Sequence, residues 1–254
     1  MMYMKKIVIM LLMVNSLNAA VAQRLADRNS IGWYVYTGNF KVSEKFSINT
    51  EYQWRRTHFI QNWQQGLFRT GLNYAINKNV NFIAGYAHAY THTYGDFPAA
   101  FNFPEHRIYE QLFVKNPLGP VLLTHRFMLE QRFVGRVTMP VGEKETDYNY
   151  VNRMRYRFRT QIPLHKSSAV KKPWSLILQD EIFVGFGKNV GANIFDQNRI
   201  GLLLNYKLSN LLQLEAGYIN QTVQQGGYVN NLPVFQYNNG FVVGININAD
   251  LRTK

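Results

Sequence analysis

Arg153, Arg155, Arg157 and Arg159 occupy alternate positions in YVNRMRYRFRTQ, residues 150–161. Guanidiniums are permanently charged and fork-shaped, so a row of them suits carboxylates, phosphates or other anions. Met154, Tyr156 and Phe158 fill the positions between. On a helix this spacing would scatter the charges around the axis. On a strand it puts all four on one face and the apolar side chains on the other. Such a strand needs a fatty environment on one side and a wet or ion-paired one opposite.

The same parity reading collects Glu51, Arg55, Arg69, Arg126, Glu130, Arg132, Glu181, Arg199 and Glu215. Carboxylates beside guanidiniums neutralise one another and fill an interior through bidentate hydrogen bonds. Glu130 on the preceding strand and Glu181 on the following one are the expected partners of the arginine row. Arginine outnumbers acid in this set, so the same residues could instead line a path or pocket for an anionic solute. Both readings stand at this point: a structural ion ladder, or a charged passage.

Other residue types offer less. His88 and His92 are four apart on a strand, on one face but roughly 13 Å apart along it, too far to share a metal ion. His125 lies on the lipid-facing parity. Ser167 and Ser168 adjoin His165 in a basic link, which is ordinary loop composition. Asp180 must face lipid, since Glu181 faces inward, unless a bulge resets the strand or Asp180 lies near the head groups. The chain carries no P-loop, dinucleotide fingerprint or Cys/His metal set. No catalytic residue, metal ligand or cofactor is assigned.

The elements that must position the charges read as strands throughout. Eleven segments are expected: 31–40, 46–57, 66–76, 80–92, 106–115, 121–136, 150–161, 174–187, 196–207, 211–221 and 236–249. Residues 93–105, 137–149 and 224–233 read as loops. Ahead of them, Lys5 and Lys6, an apolar run over 7–14 and Ala20-Val21-Ala22 make residues 1–22 a secretory signal peptide. The apolar run is far shorter than the ~20 residues of a spanning helix. The remainder, 23–254, reads as one domain, and no second long apolar run occurs in it.

The formal charge is +13, and removing the two signal-peptide lysines leaves +11. A basic balance raises nucleic acid as a partner. Export and the isolated, aromatic-flanked placement of the arginines argue against it, and favour a lipopolysaccharide-facing surface or a positive lumen. There is no cysteine, hence no disulfide framework.

Short turns alternate with longer loops, and the strands alternate between a charged face and one rich in Trp, Tyr and Phe. A soluble β-sandwich would be apolar inside and polar outside. The pattern is that of an all-β, antiparallel transmembrane β-barrel. Bacterial single-chain barrels have even strand numbers, so one crossing is expected to be hidden or split. Twelve strands are expected, with ten as the alternative.

Several blocks together resemble a family of uncharacterised Gram-negative outer-membrane β-barrel proteins, common among bacteroidetes and defined as a domain of unknown function. They are GWYVYTGNFKVSEKFSINTEYQWRR (32–56), EHRIYEQ (105–111), HRFMLEQRF (125–133), NRMRYRFR (152–159), QDEIFVGFG (179–187), FDQNRIGLL (195–203) and LEAGYINQ (214–221). The resemblance implies an outer-membrane location and a barrel fold, and no site residues. The chain ends Leu251-Arg252-Thr253-Lys254, without the terminal aromatic that such barrels often use in assembly.

The expected function is therefore a structural or passive barrel, closed or with a narrow arginine-lined path for small anionic solutes. The alternatives are an outer-membrane enzyme acting on lipid or peptide, and an exported soluble barrel binding an apolar ligand. Expected partners are outer-membrane lipid, lipopolysaccharide and the barrel-assembly machinery. The chain is read as a monomer that binds no nucleic acid.

Overall fold

The computed structural model describes residues 24–137, 146–164, 174–191 and 193–252. The predicted signal peptide, and His165, Ser167 and Ser168, lie outside them. Alternating side chains and scattered turn residues give eleven strands among the described residues: β1 (Leu25–Lys41), β2 (Phe46–Thr57), β3 (Asn62–Ala75), β4 (Val80–Thr91), β5 (Phe103–Leu118), β6 (Val121–Val137), β7 (Thr146–Pro163), β8 (Trp174–Phe186), β9 (Phe195–Lys207), β10 (Leu212–Val229) and β11 (Leu232–Asp250). Each pairs with its sequence neighbour in antiparallel register, and β1 closes the barrel against β11.

The closing pair is parallel, running from Leu25↔Val234 to Lys41↔Asp250. That corrects the expected count of twelve or ten. An even number is needed only if every pair is antiparallel. With eleven alternating strands the first and last run the same way, and a parallel ladder still satisfies the backbone groups. Among the described residues the eleven strands are the eleven expected segments, several of them longer. β10 and β11 extend through the expected 224–233 loop to a two-residue turn, with Asn230 and Asn231 at φ 50° and 64°. Asparagine tolerates that left-handed pair, which matches strand twist in a type I′ hairpin.

The links 42–45, 76–79, 119–120, 164–173 and 208–211 share one end with the end of β11. Links 58–61, 92–102, 138–145, 187–194 and 230–231 share the other end with the start of β1. The first set marks the short-turn end and the second the long-loop end.

The outer surface is apolar. Ile48, Phe68, Leu72, Ile108, Phe127, Met154, Leu178, Ile200, Leu202 and Ile245 are all exposed there. Aromatic pairs rim the apolar zone: Phe46–Tyr74 and Trp174–Tyr206 towards the short turns, Tyr34–Trp54, Trp54–Trp63 and Phe59–Phe241 towards the long loops. An apolar belt between aromatic girdles on a closed sheet is the outside of a membrane-spanning barrel. A soluble barrel would leave this belt in water.

The inner face is polar, with two apolar islands, one around Trp33 and Ile219 and one around Tyr109. Tyr109 of β5 packs with Ile83, Ala87 and Met128, in the space that Gly71 and Gly85 leave. A Cβ at either glycine would lie 2.6 or 2.7 Å from the Tyr109 hydroxyl. That hydroxyl donates to the Thr70 carbonyl at 3.1 Å.

Candidate functional site: the charged interior

Inward-facing positions of β5 to β9 bring acids and arginines together in layers. Nearest the long-loop end, Glu105 accepts from Arg107 (Nε to Oε1 2.7 Å, Nη2 to Oε2 2.8 Å) and from Arg132 (Nη2 to Oε2 3.1 Å, and Nε to Oε1). Arg153 bridges Glu130, at 2.7 Å from Nε, and Asp196. Arg155 then joins Glu130 (Nη1, 2.8 Å) to Glu181 (Nε, 2.9 Å). Arg126 also donates to Glu181. Glu51 on β2 accepts from Arg69 on β3 at 3.0 Å. Nearest the short turns, Glu215 accepts from Arg159, which also reaches Gln179 at 3.2 Å.

The register dictates this pattern. Glu130 is paired with Arg153, and Arg157 with both Arg126 and Glu181. Because the strands tilt, side chains reach partners on diagonal positions as well as opposite ones. Each carboxylate can accept several charge-assisted bonds, and the arginine forks occupy those lone pairs.

Three arginines of the expected set lack a carboxylate partner. Arg55 lies 4.1 Å above the Trp33 ring and donates to Gln53 and Gln65. Arg199 lies between Trp33 and Phe183, at 4.9 and 4.5 Å, and donates to Gln197 at 3.1 Å. Arg157 makes no hydrogen bond or ion pair with any described residue, and its Nε is buried without an acceptor.

Glu105, Glu130 and Arg153 side chains retain 1%, 0% and 3% of their accessible surface, whereas Arg132 retains 15% at the long-loop end and Glu51, Glu215 and Arg159 retain 18%, 18% and 19% towards the short turns. The short-turn half of the interior encloses a cavity of about 360 Å³ whose lining includes Arg69, Arg126, Arg155, Arg157, Arg159 and Arg199, but only three carboxylates, Glu51, Glu181 and Glu215.

At the long-loop mouth a second layer, built mainly of neutral side chains, lies across the interior. The link over 92–102 turns inward and half-buries Tyr94. Its hydroxyl accepts from Gln64 and Asn238, both at 3.1 Å, and donates to Gln236 at 3.0 Å. That uses its single donor and both lone pairs. Gln64 also accepts from the Trp33 indole at 2.8 Å. Asp27 anchors the next residues of the link, accepting from the Asp96 amide at 3.2 Å and from Gln236 at 3.0 Å. Burial pushes the Tyr94 hydroxyl pKa above its usual value.

Sequence reasoning missed Glu105, Arg107, Asp196, Asp27 and Tyr94. Glu105 falls in the expected 93–105 loop, yet it stands in β5 just after Pro104, since proline is tolerated at the first residues of a strand. The alternation Glu105, Arg107, Tyr109, Gln111 carried the signal. For Tyr94, a loop residue, no periodicity exists to read.

Asp180 does face outward and is exposed. No bulge resets it; the register shift in that pair lies at Phe183/Val184. Asn198, also facing outward, donates to Asp180 at 2.6 Å and supplies its partner within the belt. His88 likewise points outward, its ring 5.1 Å from that of His106, while His92 stacks on Trp63. Among the described residues, no three His, Asp or Glu side chains converge with metal-binding geometry.

A family model described as "Protein of unknown function (DUF2490)" matches residues 31–231. The chain belongs to the DUF2490 family. This match spans β1 from its seventh residue to the β10–β11 turn, so the DUF2490 region contains the whole ion ladder. Among solved structures, the chain is similar to a NanC porin, at 12% identity and a TM-score of 0.44, over 85% of this chain and 97% of that one. No curated protein matches the sequence. This DUF2490 protein is an outer-membrane β-barrel: a closed sheet, apolar outside between aromatic girdles, is the form in which strands cross that membrane.

Proposed function

We propose that the protein is a passive, non-catalytic barrel offering a narrow guanidinium-lined way for small anions, gated at the long-loop mouth by the Tyr94 link. The observation that carries this reading is the surplus of arginine over carboxylate around the water-accessible cavity. An ion ladder serving structure alone would approach one-to-one pairing, because uncompensated buried charge is expensive. Residues 1–22 act as a signal peptide that is removed, and 23–254 form the barrel. The proposed surroundings are lipid and lipopolysaccharide, reached through the barrel-assembly machinery, with the chain as a monomer.

Planar-bilayer recording across a KCl gradient tests this. The expected result is a small conductance with a reversal potential favouring chloride, enlarged in Tyr94→Ala. Cation selectivity, or silence in both the natural protein and Tyr94→Ala, would leave a closed structural barrel instead.

A further inference from the structure

The cavity has two unlike walls. β7 carries Arg155, Arg157 and Arg159, and it stands across the barrel from β1, five strands away in one direction and six in the other. The β1 side and its neighbours contribute Trp33, Val35, Ile219 and Val242 to the same cavity. These four belong to one apolar cluster.

Each wall leaves something unsatisfied when water alone fills the space. Arg157 makes no hydrogen bond or ion pair with any described residue; its cross-strand neighbours are Arg126, another cation, and Glu181, which Arg126 and Arg155 already engage. Val35 and Val242 are only half-buried and turn hydrocarbon to the cavity beside Ile219, which their cluster buries. An inorganic anion would answer the first need and not the second; a neutral apolar molecule would do the reverse. An anion with an apolar body answers both. The three lining carboxylates are already engaged by Arg69, Arg126, Arg155 and Arg159. They leave net positive charge but would oppose a second negative charge on the ligand. At about 360 Å³ the space is at the small end of ligand cavities.

We infer that the cavity is a binding site for small organic monocarboxylates with an apolar body. The carboxylate sits on Arg157, and the body lies against Val35, Ile219 and Val242. This inference rests on the reading of the lumen as an anion path, and names the solute class of that path. A guanidinium holds a carboxylate through two parallel hydrogen bonds, so Arg157 sets orientation as well as charge. The apolar wall then discriminates among acids by the surface they bury.

Isothermal titration of the detergent-solubilised, folded barrel with benzoate tests the site. Arg157→Gln in the same detergent serves as the reference, which cancels partition of the acid into micelles. Loss of one charge-assisted contact is expected to weaken benzoate binding by about tenfold or more. Val242→Asn is expected to weaken benzoate and to leave acetate unchanged, while gluconate and inorganic phosphate bind more weakly than benzoate throughout. Equal benzoate binding by the natural protein and Arg157→Gln would overturn the site, as would gluconate binding as tightly as benzoate, or no benzoate heat at all. Heat-modifiable gel mobility checks folding of each variant. Should Arg157→Gln fail to fold, Ile219→Asn and Val242→Asn decide the question. Chloride conductance without benzoate binding defeats this inference alone; benzoate binding without conductance defeats only the channel reading.

Discussion

Arg126 and Arg157 are direct cross-strand partners on β6 and β7, two guanidiniums opposite one another on the inner face. Glu181 flanks Arg157 on β8, but it already accepts from Arg126 and Arg155. Like charges directly opposite one another destabilise a sheet by roughly 0.2–1 kcal/mol. Arg157→Gln should therefore leave the urea unfolding midpoint unchanged or raise it slightly. A marked fall would mean that Arg157 contributes to holding the barrel together.

Glu130 is the opposite case. It is fully buried and accepts from Arg153 and Arg155, with Arg107 at 3.8 Å. Glu130→Gln leaves buried guanidiniums without a counter-charge, at about 3–5 kcal/mol. The expected readout is a clearly lower urea midpoint, or loss of the heat-modifiable folded band. Glu215→Gln, on a partly exposed pair, should cost much less, since solvent screens what it leaves behind.

The proposed gate is held by a hydroxyl, that of Tyr94, bonded to Gln64, Gln236 and Asn238. Its pKa is raised by burial, so ionisation opposes the closed arrangement. The stabilisation is fully present below the unfolded value of about 10 and is lost as pH rises through the higher folded one. Conductance should stay level through neutral pH and increase only in strong alkali. Tyr94→Phe should increase it at neutral pH, because Gln64, Gln236 and Asn238 then lose their shared partner. A steep change between pH 5 and 8 would place the gate elsewhere.

Gly71 and Gly85 respond differently to a methyl group. At Gly71 the nearest atom to a new Cβ is the Tyr109 hydroxyl, at 2.6 Å; at Gly85 it is the Thr70 carbonyl oxygen, at 2.2 Å. Both alanine variants should lose stability by overpacking, about 1–3 kcal/mol or more. Adding Tyr109→Phe should restore much of the loss in Gly71→Ala and little in Gly85→Ala, measured as recovery of the urea midpoint. Equal rescue of both would contradict the packing described.

Much of this was legible in the chain. Period-two alternation set which residues face inward, and the arginine row of β7 with Glu130 and Glu181 in phase outlined the ladder. Gly85 and Ala87 leave room for a large neighbour, but Tyr109, which fills it, comes from the adjacent strand, and pairing register is a long-range property. Strand number failed for a different reason. Nothing in β1 distinguishes an edge awaiting an antiparallel partner from one that accepts a parallel one, so the general rule of even numbers overrode a correct count. The imbalance of charge was visible in composition. Which arginine would stand alone was not, because tilt lets Arg155 and Arg126 take the carboxylate that register sets beside Arg157.

The parallel seam between β1 and β11 also decides the address of the two chain ends. β1 begins at the long-loop mouth and β11 finishes among the short turns. With the longer loops facing the medium, as in barrels of this kind, Leu25 stands at the cell-surface mouth and Asp250 on the periplasmic side. A peptide tag grafted ahead of β1 would be open to antibody on intact cells, and one after β11 would be hidden from it.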